Sequence, residues 1–346
     1  MAQKLQWRAM AKPAWAVLKW VMFLAVLIFV GRHGYKLWTE VDRHPTRLSW
    51  GWLALATMAS VTAWLPSAWY WRKLISNLGV TPPWPQVLRS YYCGHLGKYL
   101  PGKAAAIVIR AALIRDAGVP ATAAALTVTV ESLTCMWAGT LLAVLLSPSL
   151  APHLPEWIAV EAADPLLRTG LVFLVLCGGA AGMALLTRSY DRLARLFRSG
   201  AAELLPARRA VPVQTSLLGV VVFLAAWWIQ GLALGLTIQA VSTEPVNWGD
   251  WPFWTATAAV ALVGGFVAVF TPGGLGVREG LLMELLARQL GPHDAVVVAV
   301  LTRGIALAGE ILTAGALYWG VETKVKGAKN EVEAVETVEE SKGPTE

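Results

Sequence analysis

The chain has 346 residues, of which 56% are hydrophobic, and a formal net charge of +7. This composition excludes an ordinary soluble protein, because several stretches reach the roughly 20 apolar residues with which a helix crosses a bilayer. The three cysteines lie singly in apolar stretches and the five histidines are scattered, so we expect neither a metal site nor a cofactor. The sequence predicts an all-α, polytopic membrane protein.

The predicted crossing helices follow one another along the whole chain. Lys4, Arg8 and Lys12 precede an apolar run that ends at Val30 without a small-residue cleavage site. This pattern indicates an uncleaved anchor helix rather than a signal peptide. With the anchor, five further stretches predict about six full spans; they are 50–71, 121–147, 169–187, 212–241 and 295–321.

Basic residues in the short loops predict the orientation of these spans. The loop 188–211 contains six arginines and should face the cytoplasm. The loops 148–165 and 242–251 contain neither lysine nor arginine and should face outward. The loop 32–49 disagrees, because it is basic although the alternation places it outside. We expect both termini in the cytoplasm and the chain in a bacterial inner membrane.

Two peripheral stretches have patterns of their own. The sequence RSYDRLARLFRSG, residues 188–200, places Leu193, Leu196 and Phe197 on one face and arginines on the other, as an amphipathic helix at a membrane surface does. The tail 321–346 is acidic and lacks aromatic residues, so we expect disorder there. The membrane domain therefore covers about 1–320, with 188–211 as an interfacial linker.

The chain contains a weak internal duplication. The stretch KYLPGKAAAIVIRAALIRDAG, from Lys98, matches VFTPGGLGVREGLLMELLARQLG, from Val269. A Pro-Gly pair stands near the start of each stretch, and Gly118 and Gly291 end them. We place repeat one at about 48–148 and repeat two at about 212–321. Each repeat predicts a span, a helix, a Pro-Gly break, a short helix and a second span.

The orientation makes these repeats inverted, because 50–71 then runs inward and 212–241 runs outward. In transporters, inverted repeats place interrupted helices at their shared interface near the bilayer centre. We therefore expect two re-entrant hairpins whose breaks, 101–103 and 271–276, line one cavity, since a backbone break inside a membrane must be satisfied by protein or water. An ordinary interfacial loop at each break is the alternative.

Charged residues embedded in the predicted spans are candidate functional groups, because a charge at the membrane centre costs on the order of 3 kcal/mol or more. Arg303 and Glu131 occupy nearly equivalent positions in the two repeats. We expect Arg303 to pair with Glu131 across the pseudo-two-fold axis, or with Glu310 on its own helix; the sequence does not choose. Such a pair either locks the repeats together or includes an arginine that binds an anionic headgroup.

The residues around the two breaks complete the candidate site. Arg278 and Glu279 open the helix after the second break, where backbone N–H groups at a helix N-terminus favour an anion. Glu279 also suits a purely structural role as a first-turn acid. Around the first break, Lys98, Lys103 and Arg110 suit either an anionic headgroup or an anionic leaflet. The candidate binding residues are Lys98, Pro101, Gly102, Lys103, Arg110, Glu131, Pro272, Gly273, Gly274, Gly276, Arg278, Glu279, Arg303 and Glu310.

At these residues the sequence resembles the lysylphosphatidylglycerol synthase transmembrane-region family, also called the flippase-like domain family. The likeness covers about residues 15–320, and it is most specific at TPGGLGVREG and the later arginine. It implies movement of an anionic phospholipid or lipid-linked precursor between leaflets. Ser132 departs from the pattern, which would have an arginine after the glutamate, and we expect no soluble synthase domain. The residues that match are Gly97, Pro101, Gly102, Glu131, Pro272, Gly273, Gly276, Glu279 and Arg303.

Three functions fit these patterns. The first is a non-enzymatic translocator whose partner is an anionic or polyprenyl-linked lipid, not nucleic acid; the chain has no Walker loop for ATP. The second is a non-catalytic membrane partner of a separate lipid-modifying or glycosyl-transferring enzyme. The third is an intramembrane enzyme for lipid phosphates, whose nearby candidates have no known catalytic spacing: Tyr91, Tyr92, His95 and Glu279. We expect the first.

Overall fold

The computed structural model describes residues 48–99, 104–156, 159–160, 164–196, 211–268, 271 and 274–341, together with the single residues 28, 32 and 35. Within these ranges all regular secondary structure is helical. Nearly all of the predicted anchor helix and the second half of the predicted linker lie outside the described residues. The fold class predicted from the sequence, an all-α membrane protein, is confirmed for the part described.

Ten α-helices longer than one turn form the described part of the chain. Single helical turns at Leu96–Tyr99 and Arg115–Ala117, and at Ser147–Leu150 and Ala151–His153, lie between them. The helices, in chain order, are α1 Trp50–Thr62, α2 Leu65–Ser76, α3 Trp84–His95, α4 Ala104–Ile114, α5 Ala121–Leu145, α6 Pro165–Leu196, α7 Val213–Val241, α8 Trp251–Val267, α9 Val277–Leu290 and α10 Pro292–Ser341.

Four of the predicted spans are confirmed by helices that are long and apolar enough to cross a membrane. They are Ala121–Leu145, Pro165–Ser189, Val213–Val241 and Pro292–Val321. These four helices correspond to the stretches predicted at 121–147, 169–187, 212–241 and 295–321. The chain is therefore a multi-pass membrane protein.

The span predicted at 50–71 is not one continuous helix. Helix α1 ends at Thr62 and α2 begins at Leu65. Pro66 explains the interruption, because proline has no N–H to donate and its ring clashes with the carbonyl four residues earlier, that of Thr62. Proline is well tolerated in the first turn of a helix, and Pro66 stands in the first turn of α2.

Two helices extend beyond the stretches predicted for them. Helix α6 continues to Leu196, so the start of the predicted linker belongs to the same helix as the span before it. Helix α10 continues to Ser341, where we expected a disordered tail. Strong helix formers explain this continuation, because Ala, Glu and Lys fill much of the stretch after Val321.

In each repeat, two short helices pack against each other on either side of the Pro-Gly break. Helices α3 and α4 form the first such pair, and α8 and α9 the second. At about 1.5 Å per residue, α3, with 12 residues, is about 18 Å long, and α8, with 17, is about 26 Å. None of the four reaches the roughly 30 Å of a hydrocarbon core.

The two repeats contact each other through reciprocal helix pairs. Helix α5, the last helix of repeat one, packs against α7 and α8 of repeat two. In the same way α10, the last helix of repeat two, packs against α1 and α3 of repeat one. The first helices of the repeats, α1 and α7, pack against each other as well. The ends of α3 and α9 at the two breaks are therefore brought to the same interface.

Small residues and tryptophans hold these helices close together. Gly139 of α5 lies against the indole of Trp227 on α7, and Gly235 of α7 lies against that of Trp254 on α8. The Nε1 of Trp227 donates a hydrogen bond to the carbonyl of Cys135 at 3.1 Å. Helix pairs in membranes commonly use small residues for close approach and polar groups across the interface.

Candidate functional site

The second break orients the first turn of α9 through two glycines and a glutamate. Gly274 and Gly276 have φ angles of 71° and 87°, which residues other than glycine rarely adopt. Gly274 also lies against Gly265 of α8, so that a Cβ added to it would be 2.8 Å from the Gly265 Cα. Glu279 Oε2 accepts a hydrogen bond from the Gly276 N–H at 2.7 Å. The break is thus a built turn that fixes the neighbouring Arg278.

Arg278 is a buried cation at the start of α9. Its exposure is only 9%, and it makes no hydrogen bond or ion pair with any described residue. Arg303, Glu279 and Glu310 are close enough for their charges to act on it. Burying a guanidinium, with its five N–H donors, costs folding free energy, and buried charges are ordinarily paired for this reason.

Arg303 of α10 lies beside Glu279, a partner that we did not predict. Its Nη1 is 3.7 Å from Glu279 Oε1, and its guanidinium lies 4.8 Å from the centre of the Tyr99 ring. The reason is geometric: α9 and α10 are packed neighbours joined by a turn at Gly291, and Glu279 and Arg303 each lie twelve residues from that glycine. Of the two partners predicted for Arg303, Glu131 pairs with Arg110 and Glu310 with Lys98.

Glu310 of α10 contacts the turn that follows α3 in the other repeat. Lys98 Nζ donates to Glu310 Oε1 at 2.6 Å, and the Tyr99 hydroxyl donates to Oε2 at 3.0 Å. His95 Nε2 lies 3.5 Å from the same carboxylate. Glu310 is only 2% exposed. This carboxylate therefore joins repeat two to the first break.

Arg110 and Glu131 form a tight pair within repeat one. Arg110 Nη1 donates to Glu131 Oε2 at 2.8 Å, and the Tyr91 hydroxyl lies 3.2 Å from Oε1. The guanidinium stacks over the Tyr91 ring at 4.0 Å. Both charged side chains are almost fully buried. Like Glu279 and Arg303, this pair joins the helix after a break to the following span, but with the signs reversed.

The structure brings together only part of the predicted site. Lys98, Arg278, Glu279, Arg303 and Glu310 form one group, called here the interface charge cluster. Arg110 and Glu131 form the separate pair just described, and Gly274 and Gly276 shape the second break. The remaining predicted residues lie outside the described residues; they are Pro101, Gly102, Lys103, Pro272 and Gly273.

Sequence reasoning missed Tyr99, which contacts both Glu310 and Arg303. Its signal was its position directly after Lys98 in GKYLPG, beside the predicted break. An aromatic ring with a hydroxyl can stack on a cation and donate a hydrogen bond at once. Tyr99 thereby links the two charges of α10 to repeat one.

A family model described as the lysylphosphatidylglycerol synthase TM region matches residues 15–313. The match covers most of the chain, so this protein belongs to that family, through the membrane part alone. No curated protein matches the chain. Membership of this family, together with the long apolar helices, indicates a membrane protein of lipid metabolism.

Proposed function

We propose that this protein moves an anionic phospholipid or a lipid-linked precursor between the leaflets of a bacterial inner membrane, with both termini in the cytoplasm. The lipid's headgroup would enter the interface charge cluster while its acyl chains stay in the surrounding bilayer. The chain itself would perform no covalent chemistry. A non-catalytic partner of a lipid-modifying enzyme is the reading that the experiment below must exclude.

The observation that carries this proposal is an unbalanced charge inside the helix bundle. The interface charge cluster contains three cations, Lys98, Arg278 and Arg303, against two carboxylates, Glu279 and Glu310. Among these described residues one positive charge is left over, and Arg278 has no described carboxylate in contact. Burying an uncompensated charge is expensive. A transient anionic ligand that offsets this cost explains why the fold keeps Arg278.

The arrangement of the helices supports a moving site rather than a static one. We propose that the two repeats are inverted and that α3–α4 and α8–α9 are re-entrant hairpins, since these helices are too short to cross. The reciprocal packing of α5 on α8 and of α10 on α3 is the pattern that a pseudo-two-fold axis would produce. In such transporters, one repeat rocks against the other around a central site.

The experiment is native mass spectrometry of the full-length protein purified in mild detergent, to identify lipids that remain bound. We expect the wild type to retain an anionic lipid selectively and Arg278→Gln to lose most of it. Arg115→Gln is the matched control, because Arg115 is an exposed arginine in repeat one. Equal lipid retention by all three proteins would contradict the proposal and favour the non-catalytic partner.

A further inference from the structure

A mostly apolar pocket with a few polar side chains lies among the helices next to the interface charge cluster. It is a small pocket, and five helices line it: α1, α7, α8, α9 and α10. Ala258, Ala261 and Leu262 of α8 give it an apolar wall. No acidic residue is among the described residues that line it. The carboxylates nearest to Arg278, those of Glu279 and Glu310, therefore lie outside the described lining of the pocket.

Four polar side chains from four helices converge on this pocket: Ser60 of α1, Gln230 of α7, Arg278 of α9 and Thr302 of α10. Ser60, Gln230 and Arg278 are each more than nine-tenths buried. None of the four makes a side-chain hydrogen bond with another described residue, and the Thr302 hydroxyl oxygen is fully buried without a partner. Buried polar groups are ordinarily hydrogen-bonded, so this convergence needs an explanation.

The four side chains share one chemical property, which is that all can donate hydrogen bonds. The guanidinium of Arg278 presents parallel N–H groups that match two oxygens of one anion. Two hydroxyls and an amide on other walls of the same pocket offer further donors. A tetrahedral anion with several acceptor oxygens, which is a phosphate, meets these donors better than a planar carboxylate does.

We propose that Ser60, Gln230, Arg278 and Thr302 form a phosphate-binding pocket, which takes the phosphate of the headgroup. This inference rests on the proposed lipid translocation for the source of the phosphate, but not for the chemistry of the pocket. It also assigns different roles to the pocket and to the interface charge cluster. The pocket recognises the phosphate, while Lys98, Glu279, Arg303 and Glu310 lie beside it.

The proposal separates specificity from charge. Ser60, Gln230 and Thr302 are neutral, so they contribute only through hydrogen bonds to a correctly placed anion. Removing one of them should leave the fold's charge balance intact and weaken binding alone. Thr302→Val and Gln230→Leu are therefore sharper tests than loss of Arg278, which also changes a buried charge.

The experiment measures binding of dihexanoyl-phosphatidylglycerol and, separately, of inorganic phosphate to the purified full-length protein by isothermal titration calorimetry. We expect Thr302→Val and Gln230→Leu each to weaken binding about tenfold, the loss of one hydrogen bond to a charged group. Thr257→Val is the matched control, because Thr257 of α8 also has a buried hydroxyl without a partner but does not line the pocket. It should bind as the wild type does.

The two ligands identify the source of the phosphate. If Thr302→Val and Gln230→Leu weaken binding of the lipid, the pocket is a headgroup site. If they weaken binding of inorganic phosphate alone, the pocket is a site for the free anion. The proposal is overturned if neither ligand binds, or if the pocket variants bind like Thr257→Val, which would leave water as the pocket's occupant. Lipid translocation measured on the same proteins keeps the two proposals apart. If the wild type transports lipid and the pocket variants bind it equally well, only the pocket proposal is overturned. If phosphate binds in the pocket but the protein moves no lipid, only the translocator proposal is overturned.

Discussion

At the scale of single residues, the Arg110–Glu131 and Glu279–Arg303 pairs differ in the distance between their charged atoms. Arg110 and Glu131 are 2.8 Å apart, with an additional tyrosine hydroxyl on the carboxylate. Glu279 and Arg303 are 3.7 Å apart, beyond ordinary hydrogen-bond distance. The first pair therefore stabilises the packing of α4 against α5 in repeat one. The second is loose enough for an incoming anion to compete with Glu279.

We predict that Glu131→Gln strongly destabilises the protein, because it leaves the Arg110 charge buried without a counter-charge. Breaking one side of a buried pair typically costs about 3–5 kcal/mol. The measurement is thermal unfolding of the purified protein in detergent. The double variant Arg110→Gln, Glu131→Gln is the control and should recover part of the loss. A single variant as stable as the wild type would show that the pair does not stabilise this packing.

We predict that Glu310→Gln strengthens binding of an anionic lipid, because it raises the charge of the interface charge cluster from +1 to +2. At about 10 Å and an effective dielectric constant of ~20, one added charge contributes roughly 1.5 kcal/mol, or about tenfold in affinity. The measurement is titration with dihexanoyl-phosphatidylglycerol. Glu284→Gln, on the exposed face of α9, is the control and should bind as the wild type does. Weaker binding by Glu310→Gln would place the headgroup elsewhere.

The sequence predicts which charged residues matter but not which ones meet. Arg303 stands out as a cation in an apolar span, whereas its contact with Glu279 depends on the turn at Gly291 and on how α9 packs against α10. Ser60, Gln230 and Thr302 give no signal at all, because hydroxyls and amides are common within helices. Only the convergence of four helices makes them a site.

At the scale of helices, the breaks depend on backbone conformations that glycine supplies. Gly276 stands directly before α9 with a φ of 87°. The glycines that end the two matched stretches, Gly118 and Gly291, also share positive φ angles, 77° and 82°. Their ψ angles differ, 13° at Gly118 and 159° at Gly291, so the two glycines share the sign of φ but not one backbone conformation.

We predict that Gly276→Ala destabilises the protein by about 1–3 kcal/mol, the cost of placing a side chain on a backbone conformation that residues with a Cβ rarely adopt. It should also weaken lipid binding, because the turn fixes Arg278. The measurements are thermal unfolding and lipid titration on one preparation. Gly304→Ala is the control, since a Cβ there meets nothing within 4 Å and alanine favours a helix. The account of the break fails if the two variants behave alike.

Hydropathy located the long helices well and their interruptions less well. The four confirmed spans each coincide with an uncharged or nearly uncharged stretch. The interruption between α1 and α2 was missed although Pro66 signalled it, because an apolar window does not register backbone breaks. The helix after Val321 was missed because its acidic, polar composition suggested disorder, although many of its residues favour helix.

At the scale of the whole molecule, the central structural proposal is that the repeats face opposite sides of the membrane. The reciprocal helix packing has the symmetry that this requires. Packing alone does not distinguish the two sides of a bilayer. The loops after the first predicted span of each repeat, between α2 and α3 and between α7 and α8, provide the test.

We predict that Thr81→Cys and Thr243→Cys, made in a variant without the native cysteines, label from opposite sides. Both threonines are exposed, each in its loop. A membrane-impermeant maleimide should reach Thr243→Cys in intact cells and Thr81→Cys only after the membrane is permeabilised. A parent protein without cysteine is the control. Labelling of both from the same side would contradict inverted repeats.

The most direct test of the account is lipid translocation by purified protein in liposomes. Fluorescent phosphatidylglycerol in the outer leaflet is quenched chemically, and the protected fraction reports lipid moved inward. The account predicts rapid translocation by the wild type and by Arg115→Gln, and a rate at least about tenfold lower for Arg278→Gln. Wild-type liposomes no faster than protein-free ones, or Arg278→Gln as fast as the wild type, would contradict it.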